Sequence, residues 1–347
     1  MQTQIYSQQS TKNLFQNIFP LIILAVIFLI SICIGTKFIN PISVLKNVFA
    51  NSSQAESGLS KVDLLVLTKI RVPRALLSVL CGALLGATGA MFQGFFRNPL
   101  ADSGIMGISS GATLGAVCSG FFSFGALQLI APVTLFAFAG ALVSAFCLFA
   151  LSKIFKSQST VTLLLSGTAV GTFFSAIASS ILLTREKELH SLYVWTMGSF
   201  NGKGWNEFLV FIIPSVISLV LVMFSSKHLD VLTGGETSAK TLGLNYDKVQ
   251  NYILIVGSLA TSCAVCAGGI ISFVGLIAPH IVRKIYGPLH KTLIFESMIF
   301  GSILLLLADT LARTVIAPSE LPVGVITSLI GVPFFIVILA RDFGGER

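Results

Sequence analysis

Long apolar runs separated by short polar breaks recur along almost the whole chain. Most runs have about the 20 residues that a helix needs to cross a hydrocarbon core of about 30 Å. The breaks occur at charged residues and at Pro, Gly and Asn, and they predict ten helices, at 18–35, 73–95, 103–121, 127–152, 159–183, 206–226, 250–268, 271–285, 292–314 and 322–340. The pattern therefore predicts an all-α polytopic membrane protein with one transmembrane domain over residues 1–347.

Composition argues against a water-soluble enzyme. Charged residues make up 10% of the chain, whereas a soluble domain carries about 25%. No G-x-x-x-x-G-K-[ST] phosphate-binding loop occurs, so ATP is not handled by this polypeptide. The six cysteines fall within apolar runs, and for Cys263-x-x-Cys266 helix packing is favoured over a zinc or redox site. We expect no catalytic site, no metal and no bound cofactor in this chain.

The distribution of Lys and Arg predicts the orientation. An even number of spans places both termini on one side, and with cytoplasmic termini the inner connections hold cations such as Arg97, Lys153 and Arg283. The net charge of +8 is dispersed over short loops, which argues against a nucleic-acid surface. Arg71, Arg74 and Arg313 then lie at outer helix ends. Cations on that side need another explanation.

The longest inner connection, 227–249, contains the sequence LDVLTGGETSAKTLGLNYDKVQ. Its glycines separate two short helical pieces, and Glu236 near a helix start is favoured by the helix dipole. We interpret it as a helical hairpin that binds a partner, the alternative being a solvated loop.

Small residues are dense in the spans and predict close helix packing. The alternative for the polar residues among them is a lining of the transport pathway, for which the candidates are Ser109, Thr113, Ser166 and Thr168.

Four segments are the most distinctive sequence motifs in the chain. They are Arg71-Val-Pro-Arg74 with its continuation to Gln93-Gly-Phe-Phe-Arg-Asn98-Pro99-Leu100-Ala-Asp102; Trp195-Thr-Met-Gly-Ser-Phe200; Gly268-Gly-Ile-Ile-Ser-Phe-Val-Gly-Leu-Ile-Ala-Pro279-His280-Ile-Val-Arg283; and Ala308-Asp309-Thr-Leu-Ala-Arg313 with Glu320-Leu-Pro-Val-Gly324.

These segments resemble, in their order, spacing and residue identities, the FecCD type of permease subunit of ABC importers for iron-siderophore, haem and vitamin B12. The resemblance extends from about Ser60 to the C-terminus. It implies a type II ABC importer permease with about ten helices in the bacterial inner or plasma membrane, and both termini cytoplasmic. It also implies a second permease copy or paralogue, two cytoplasmic ATPase subunits that use ATP and Mg, and a periplasmic or lipoprotein substrate-binding protein.

Residue roles follow from the same resemblance. Arg71, Arg74 and Arg313 match positions that pair with carboxylates of the binding protein, the alternative being snorkelling to headgroups. The turn Asn98-Pro99-Leu100 matches the cytoplasmic gate, the alternative being a simple tight reversal. The inner hairpin matches the helices that couple to the ATPase, with the candidates Leu232, Gly234, Gly235, Glu236, Thr237, Ala239, Leu242 and Gly243.

Three further residues have simpler interpretations. Asp309 and Arg313 are one turn apart and are expected to form an i,i+4 ion pair, in preference to a proton relay at Asp309. His280 is expected to be hydrogen-bonded rather than a haem or metal ligand. Trp195 begins a segment that we expect to form a short outer helix over the path, the alternative being an aromatic anchor at the membrane interface.

The resemblance implies import of an iron chelate, either a siderophore complex or haem, with vitamin B12 or a metal oxyanion as alternatives. A different class remains open on the sequence alone: an ion-coupled secondary transporter, for which Asp309 is the one intramembrane acid recognised from the pattern. A non-transporting scaffold or sensor is the other rival.

Overall fold

The fold is known from a computed structural model that describes residues 2–35, 37–49, 59–120, 132–154, 160–183 and 193–343; within these ranges the side chains of 2–17, 47–49, 103, 105, 132, 160, 161, 236–238, 339 and 341–343 are not described. The described residues form fourteen labelled α-helices and no strand: α1 Gln2–Cys33, α2 Pro41–Phe49, α3 Lys61–Leu65, α4 Val72–Phe96, α5 Ile108–Ser119, α6 Pro132–Ile154, α7 Thr160–Leu183, α8 Trp205–Phe224, α9 Ser226–Thr233, α10 Glu236–Thr241, α11 Tyr246–Gly268, α12 Val274–Tyr286, α13 His290–Thr314 and α14 Val323–Phe343.

The prediction of an all-α membrane protein is confirmed. A helix occurs at each of the ten predicted positions, although parts of 103–121, 127–152 and 159–183 lie outside the described residues. Within the described part, six helices are long and apolar enough to cross a membrane: Lys61–Phe96, Val133–Ile154, Thr162–Leu183, Trp205–Thr233, Tyr246–Gly268 and His290–Thr314. Shorter apolar helices cover Ile18–Cys33, Ile108–Ser119 and Val323–Ile338. The number of membrane crossings stays a prediction.

α4 lies at the centre of the bundle. Its most apolar window is 89% buried, whereas the windows of α6, α7 and α8 are 28 to 33% buried. A π-helical segment, Val66–Arg71, joins α3 to α4 without a break, so this helix begins earlier than the predicted residue 73.

α4 and α13 run antiparallel with their backbones in contact. A β-carbon placed on Gly86 would lie 2.0 Å from the Ser297 carbonyl oxygen, and one on Gly82 would lie 2.4 Å from that of Gly301. Small residues allow this approach, as expected for helices in lipid. The contact ties the two helices along much of their length.

These helices define two ends of the bundle. The arginine end holds Arg71, Arg74 and Arg313, where α4 begins and α13 finishes. The hairpin end holds α9 and α10, together with the last turn of α4 and the first turn of α13.

Two helices inside the bundle begin later than the predicted residues 103 and 271. α5 begins only after Gly107 (φ 72°), and α12 begins after Phe273 (φ 68°). The first turn of α12 packs against the middle of α4, since a β-carbon on Gly275 would lie 2.9 Å from the Leu85 carbonyl oxygen. With 13 residues α12 is roughly 20 Å long, less than a bilayer core. Non-helical backbone at this depth is tolerated because protein surrounds it.

Candidate functional site

Two arginines at the arginine end cap the C-terminus of α1. Arg71 donates to the carbonyl oxygens of Ile32 and Cys33, both at 3.0 Å, and to that of Lys37 at 2.6 Å. Arg313 donates to the Ser31 carbonyl at 3.1 Å. The last carbonyls of a helix lack intrahelical partners and carry its negative dipole end. Buried guanidinium groups therefore hold α1 against α4 and α13.

Arg74 forms a second cluster between three elements. Its Nη2 lies 2.9 Å from Oδ1 of Asp309 on α13, and its Nη1 lies 2.8 Å from Oε2 of Glu320. Arg313 Nε lies 3.3 Å from Oδ2 of Asp309, an ion pair without hydrogen-bond geometry. The predicted i,i+4 pair of Asp309 and Arg313 is therefore confirmed, and Arg74 adds a second, shorter contact to the same carboxylate.

The same three arginines are expected, from the family resemblance, to pair with carboxylates of a binding protein. Arg71, Arg74 and Arg313 are only 5 to 6% exposed, and each has partners within the chain. Their presence at this end is thus explained by internal pairing. Glu320, whose side chain is 26% exposed, is the accessible member of the cluster. Docking of a binding protein at these arginines stays a prediction.

The Trp195–Phe200 block closes the arginine end of α11. Residues 193–196 form a short helical turn, and the Ser199 N–H donates to the Gly268 carbonyl at 2.8 Å. Lys203 follows in the loop, and its Nζ donates to the Ala267 carbonyl at 2.6 Å. Burial lowers the pKa of Lys203. The segment therefore caps α11 with N–H groups, and its predicted position over a transport path stays a prediction.

The predicted hairpin exists as α9 and α10, which glycine turns delimit. Gly235 (φ 96°) precedes α10, and Gly243 (φ 81°) follows it. The Gly243 N–H donates to Lys240 and the Leu244 N–H to Ala239, both at 3.0 Å, which is the Schellman pattern that favours glycine after a helix. The expected turn positions are thus observed.

The other coupling candidates differ in exposure. Leu232 and Ala239 are buried and hold the hairpin to the bundle, whereas Leu242 is 74% exposed. Gly234 ends α9 with ordinary helical angles. Glu236 and Thr237 belong to α10, but their side chains lie outside the described residues. Among the candidates whose side chains are described, Leu242 is therefore the apolar residue that is exposed to a partner.

The predicted reversal after α4 is present. Arg97 adopts φ 49°, and the Asn98 N–H donates to the Gln93 carbonyl at 3.2 Å. The Asn98 side chain accepts the Leu100 N–H at 2.9 Å, and Pro99 occupies the exposed corner of the turn. A β-carbon on Gly235 would lie 3.7 Å from Arg97 Nη1, so the turn adjoins the hairpin. Its role as a gate stays a prediction.

Three of the four hydroxyls proposed for a pathway bond to their own helices. Thr113 donates to the Ser109 carbonyl, Ser166 to that of Thr162 and Thr168 to that of Leu165. Such bonds to a carbonyl three or four residues back satisfy a polar group in an apolar helix. Thr168 is exposed and Ser166 is buried, so the candidates do not share one environment. A pathway role stays a prediction for all four.

A cavity of about 490 Å³ opens at the hairpin end and was not predicted. It lies between the turn after α4, the last turn of α12 and the first turn of α13, and its lining includes Arg97, Arg283, Lys284, His280 and His290. The ring of His280 meets that of Phe334 edge-on at 6.4 Å between centroids. His290 is held by Asp230, whose Oδ1 lies 2.7 Å from His290 Nδ1. The described residues contain no group of three metal-ligating side chains.

Sequence reasoning also missed Glu296. The side chain is fully buried on α13, and within the described part of the chain neither carboxyl oxygen has a hydrogen-bond partner. α13 therefore carries two buried acids, Glu296 and Asp309. The signal that could have shown it was an acidic residue inside the apolar run 292–314, where ionisable groups are rare.

Comparison with known proteins identifies the family. The FecCD transport family matches residues 23–341. The chain belongs to the FecCD transport family. A cobalamin import system permease protein of Halobacterium salinarum is 38% identical over 84% of this chain and 78% of that protein. An iron(3+)-hydroxamate import system permease protein of Bacillus subtilis is 35% identical over 96% of this chain and 98% of that protein.

A solved structure supports the same assignment at the level of the fold. It is described as a metal-chelate type ABC transporter in an inward-facing conformation, and it superposes with a TM-score of 0.81 at 28% identity, covering 95% of this chain and 99% of that one. This FecCD protein is thus a multi-pass permease of an ABC importer. Membership decides against the secondary transporter and the scaffold, although the helix breaks and Glu296 are features that a secondary transporter also shows.

Proposed function

We propose that this FecCD permease moves an iron chelate, a siderophore complex or haem, into the cytoplasm. The family match over residues 23–341 carries the proposal. A relative named for iron(3+)-hydroxamate import aligns over nearly the full length of both chains, which supports the same architecture and the same cargo class.

The proposed assembly places the hairpin end in the cytoplasm. Two permeases, as a homodimer or a pair of paralogues, would stand above two ATPase subunits, with ATP and Mg used by those subunits. The hairpin supports this because it consists of two short helices and exposes the apolar side chain of Leu242 in the turn that follows them. A few side chains that fill a partner's pocket carry most of the energy of a protein interface.

The substrate-binding protein would dock at the arginine end. Arg74 is buried, but its partner Glu320 is partly exposed, and the two are joined by a 2.8 Å ion pair. A carboxylate of the binding protein that displaces Glu320 would meet Arg74 without leaving it unpaired. Docking in this form predicts that Glu320→Gln increases the affinity for the binding protein, because the internal competitor loses its charge.

Cobalamin is the second candidate cargo. The cobalamin permease of Halobacterium salinarum is 38% identical, a value above that of the hydroxamate permease but over a smaller share of each chain. Both cargoes are large, so the permease alone does not decide between them.

The deciding experiment is uptake into proteoliposomes that contain the permease with its ATPase and binding protein. Labelled ferric hydroxamate, haem and cobalamin are offered separately, with and without internal ATP. ATP-dependent uptake of an iron chelate supports the proposal, and uptake of cobalamin alone replaces it with the second candidate. If an assembled complex imports none of the three, the chelate assignment is wrong and metal oxyanions become the next cargo to test.

A further inference from the structure

The first turn of α13 receives its cap from another element. Leu289, at the N-cap position, makes no side-chain capping bond. Instead the backbone N–H of His290 donates to Oδ1 of Asp230 at 2.9 Å, across 60 positions of sequence. A carboxylate at a helix N-terminus is favoured by the unpaired N–H groups and by the dipole. A residue of α9 therefore supplies the cap of α13.

The same oxygen also bonds the His290 ring. Asp230 Oδ1 lies 2.7 Å from Nδ1, so the proton on Nδ1 is donated to the carboxylate. The ring is almost fully buried, whereas the Asp230 side chain is 35% exposed. On its other side the ring meets α4, because a β-carbon on Gly94 would lie 2.2 Å from His290 Nε2. The imidazole therefore fills the space between the hairpin and α4.

The α4–α13 pair connects this contact with the arginine end. At the hairpin end His290 of α13 contacts both α9 and α4. About 19 residues later α13 carries Asp309, which is paired with Arg74 of α4. Between these points the backbones of the two helices are in close contact at Gly82–Gly301 and Gly86–Ser297. The contact of α9 with His290 therefore acts on a helix that is joined to α4 at three further points.

We propose that the Asp230–His290 pair is the joint through which the hairpin moves α4 and α13 during transport. Both are positioning residues that touch no cargo. The inference rests on the proposed function, in which the hairpin binds the ATPase. Without the pair, the apolar contacts of Leu232 remain, and α13 follows the movement of α9 less closely. ATP hydrolysis then continues while import slows.

The cap itself is tested on the permease without its partners. Hydrogen exchange of the backbone amides in the first turn of α13 is compared between the wild type and Asp230→Ala in detergent. Loss of a charge-assisted bond predicts about tenfold faster exchange there. Asp247→Ala is the matched control, because Asp247 is an exposed acid in the first turn of α11. Unchanged exchange in Asp230→Ala would overturn the proposal.

Coupling is tested in proteoliposomes by measuring cargo uptake and ATP hydrolysis in parallel. For Asp230→Ala we expect uptake per ATP to fall about tenfold, with hydrolysis within about twofold of wild type. Asp230→Asn, which keeps an acceptor oxygen, should recover part of the uptake per ATP. Equal uptake per ATP, or a proportional loss of uptake and hydrolysis, contradicts the joint.

Failure of the proposed function has a separate signature. In that case the wild-type complex itself shows no ATP-dependent uptake of a chelate, while the exchange experiment still decides whether Asp230 caps α13. Thermal unfolding of each variant is recorded beside both assays, since a purely structural role would lower stability without changing uptake per ATP.

Discussion

At the scale of single residues, Arg71 has an energetic role that can be measured. Replacement by Met removes three hydrogen bonds to the carbonyls at the end of α1, from a side chain that is only 5% exposed. Buried acceptors left without donors are costly, so we expect a loss of about 3 kcal/mol in the free energy of unfolding. Thermal unfolding in detergent measures it. Lys69→Met, at an exposed cation two residues earlier, is the control, and equal shifts for the two variants would refute the capping role.

Glu296 should behave in the opposite way. The carboxyl is buried on α13 without a hydrogen-bond partner among the described residues, so removing it removes a desolvation penalty rather than a contact. We expect Glu296→Met to leave the unfolding temperature unchanged or raised. Asp309→Asn, which weakens the ion pair with Arg74, should lower it. A Glu296→Met permease that is stable but inactive in uptake would instead assign Glu296 a role in transport.

Sequence separation explains which residue contacts could be predicted. Asp309 and Arg313 are one turn apart, so helical spacing alone predicts their ion pair. The partners of Arg74 lie 235 and 246 positions away, and Asp230 lies 60 positions from His290. No local pattern contains such contacts. The arginines were therefore expected at a partner's surface, whereas the structure pairs them within the chain.

At the scale of elements, the exposed end of the hairpin yields a binding prediction. Leu242 is 74% exposed directly before the Gly243 turn, and we expect Leu242→Ala to weaken ATPase binding about tenfold, the effect of losing an apolar anchor. Affinity of the purified ATPase for the detergent-solubilised permease is the measurement. Val62→Ala shortens a similarly exposed apolar side chain at the arginine end and should have no effect. Equal affinities for Leu242→Ala and the wild type would remove Leu242 from the interface.

Helix positions were predictable because apolar runs and polar breaks are local properties of the chain. The glycine turns around α10 were also predictable, since positive φ favours glycine. The breaks before α5 and α12 were also predicted, but both helices begin later than expected, at residues 108 and 274 instead of 103 and 271. Phe273 is apolar and lies inside an apolar run, so composition gives no sign that its φ of 68° interrupts the helix. Only the packing of α12 against the middle of α4 explains that break.

At the scale of the whole molecule, the antiparallel α4–α13 pair defines two opposite ends of the bundle, so a single labelling experiment tests the orientation. Cysteine introduced at Leu242 marks the hairpin end, and cysteine at Val62 marks the arginine end. With the hairpin end cytoplasmic, a membrane-impermeant maleimide applied to intact cells or spheroplasts should label Val62→Cys alone.

Lysed membranes supply the control for this comparison, because both introduced cysteines should then react. Four of the six native cysteines are buried and two are partly buried, so the background labelling should be low. Labelling of Leu242→Cys from outside would place the hairpin where no ATPase can reach it. That result would contradict the direction of transport and the Asp230–His290 joint, whereas the fold and the family would stand unchanged, since neither depends on which end faces the cytoplasm.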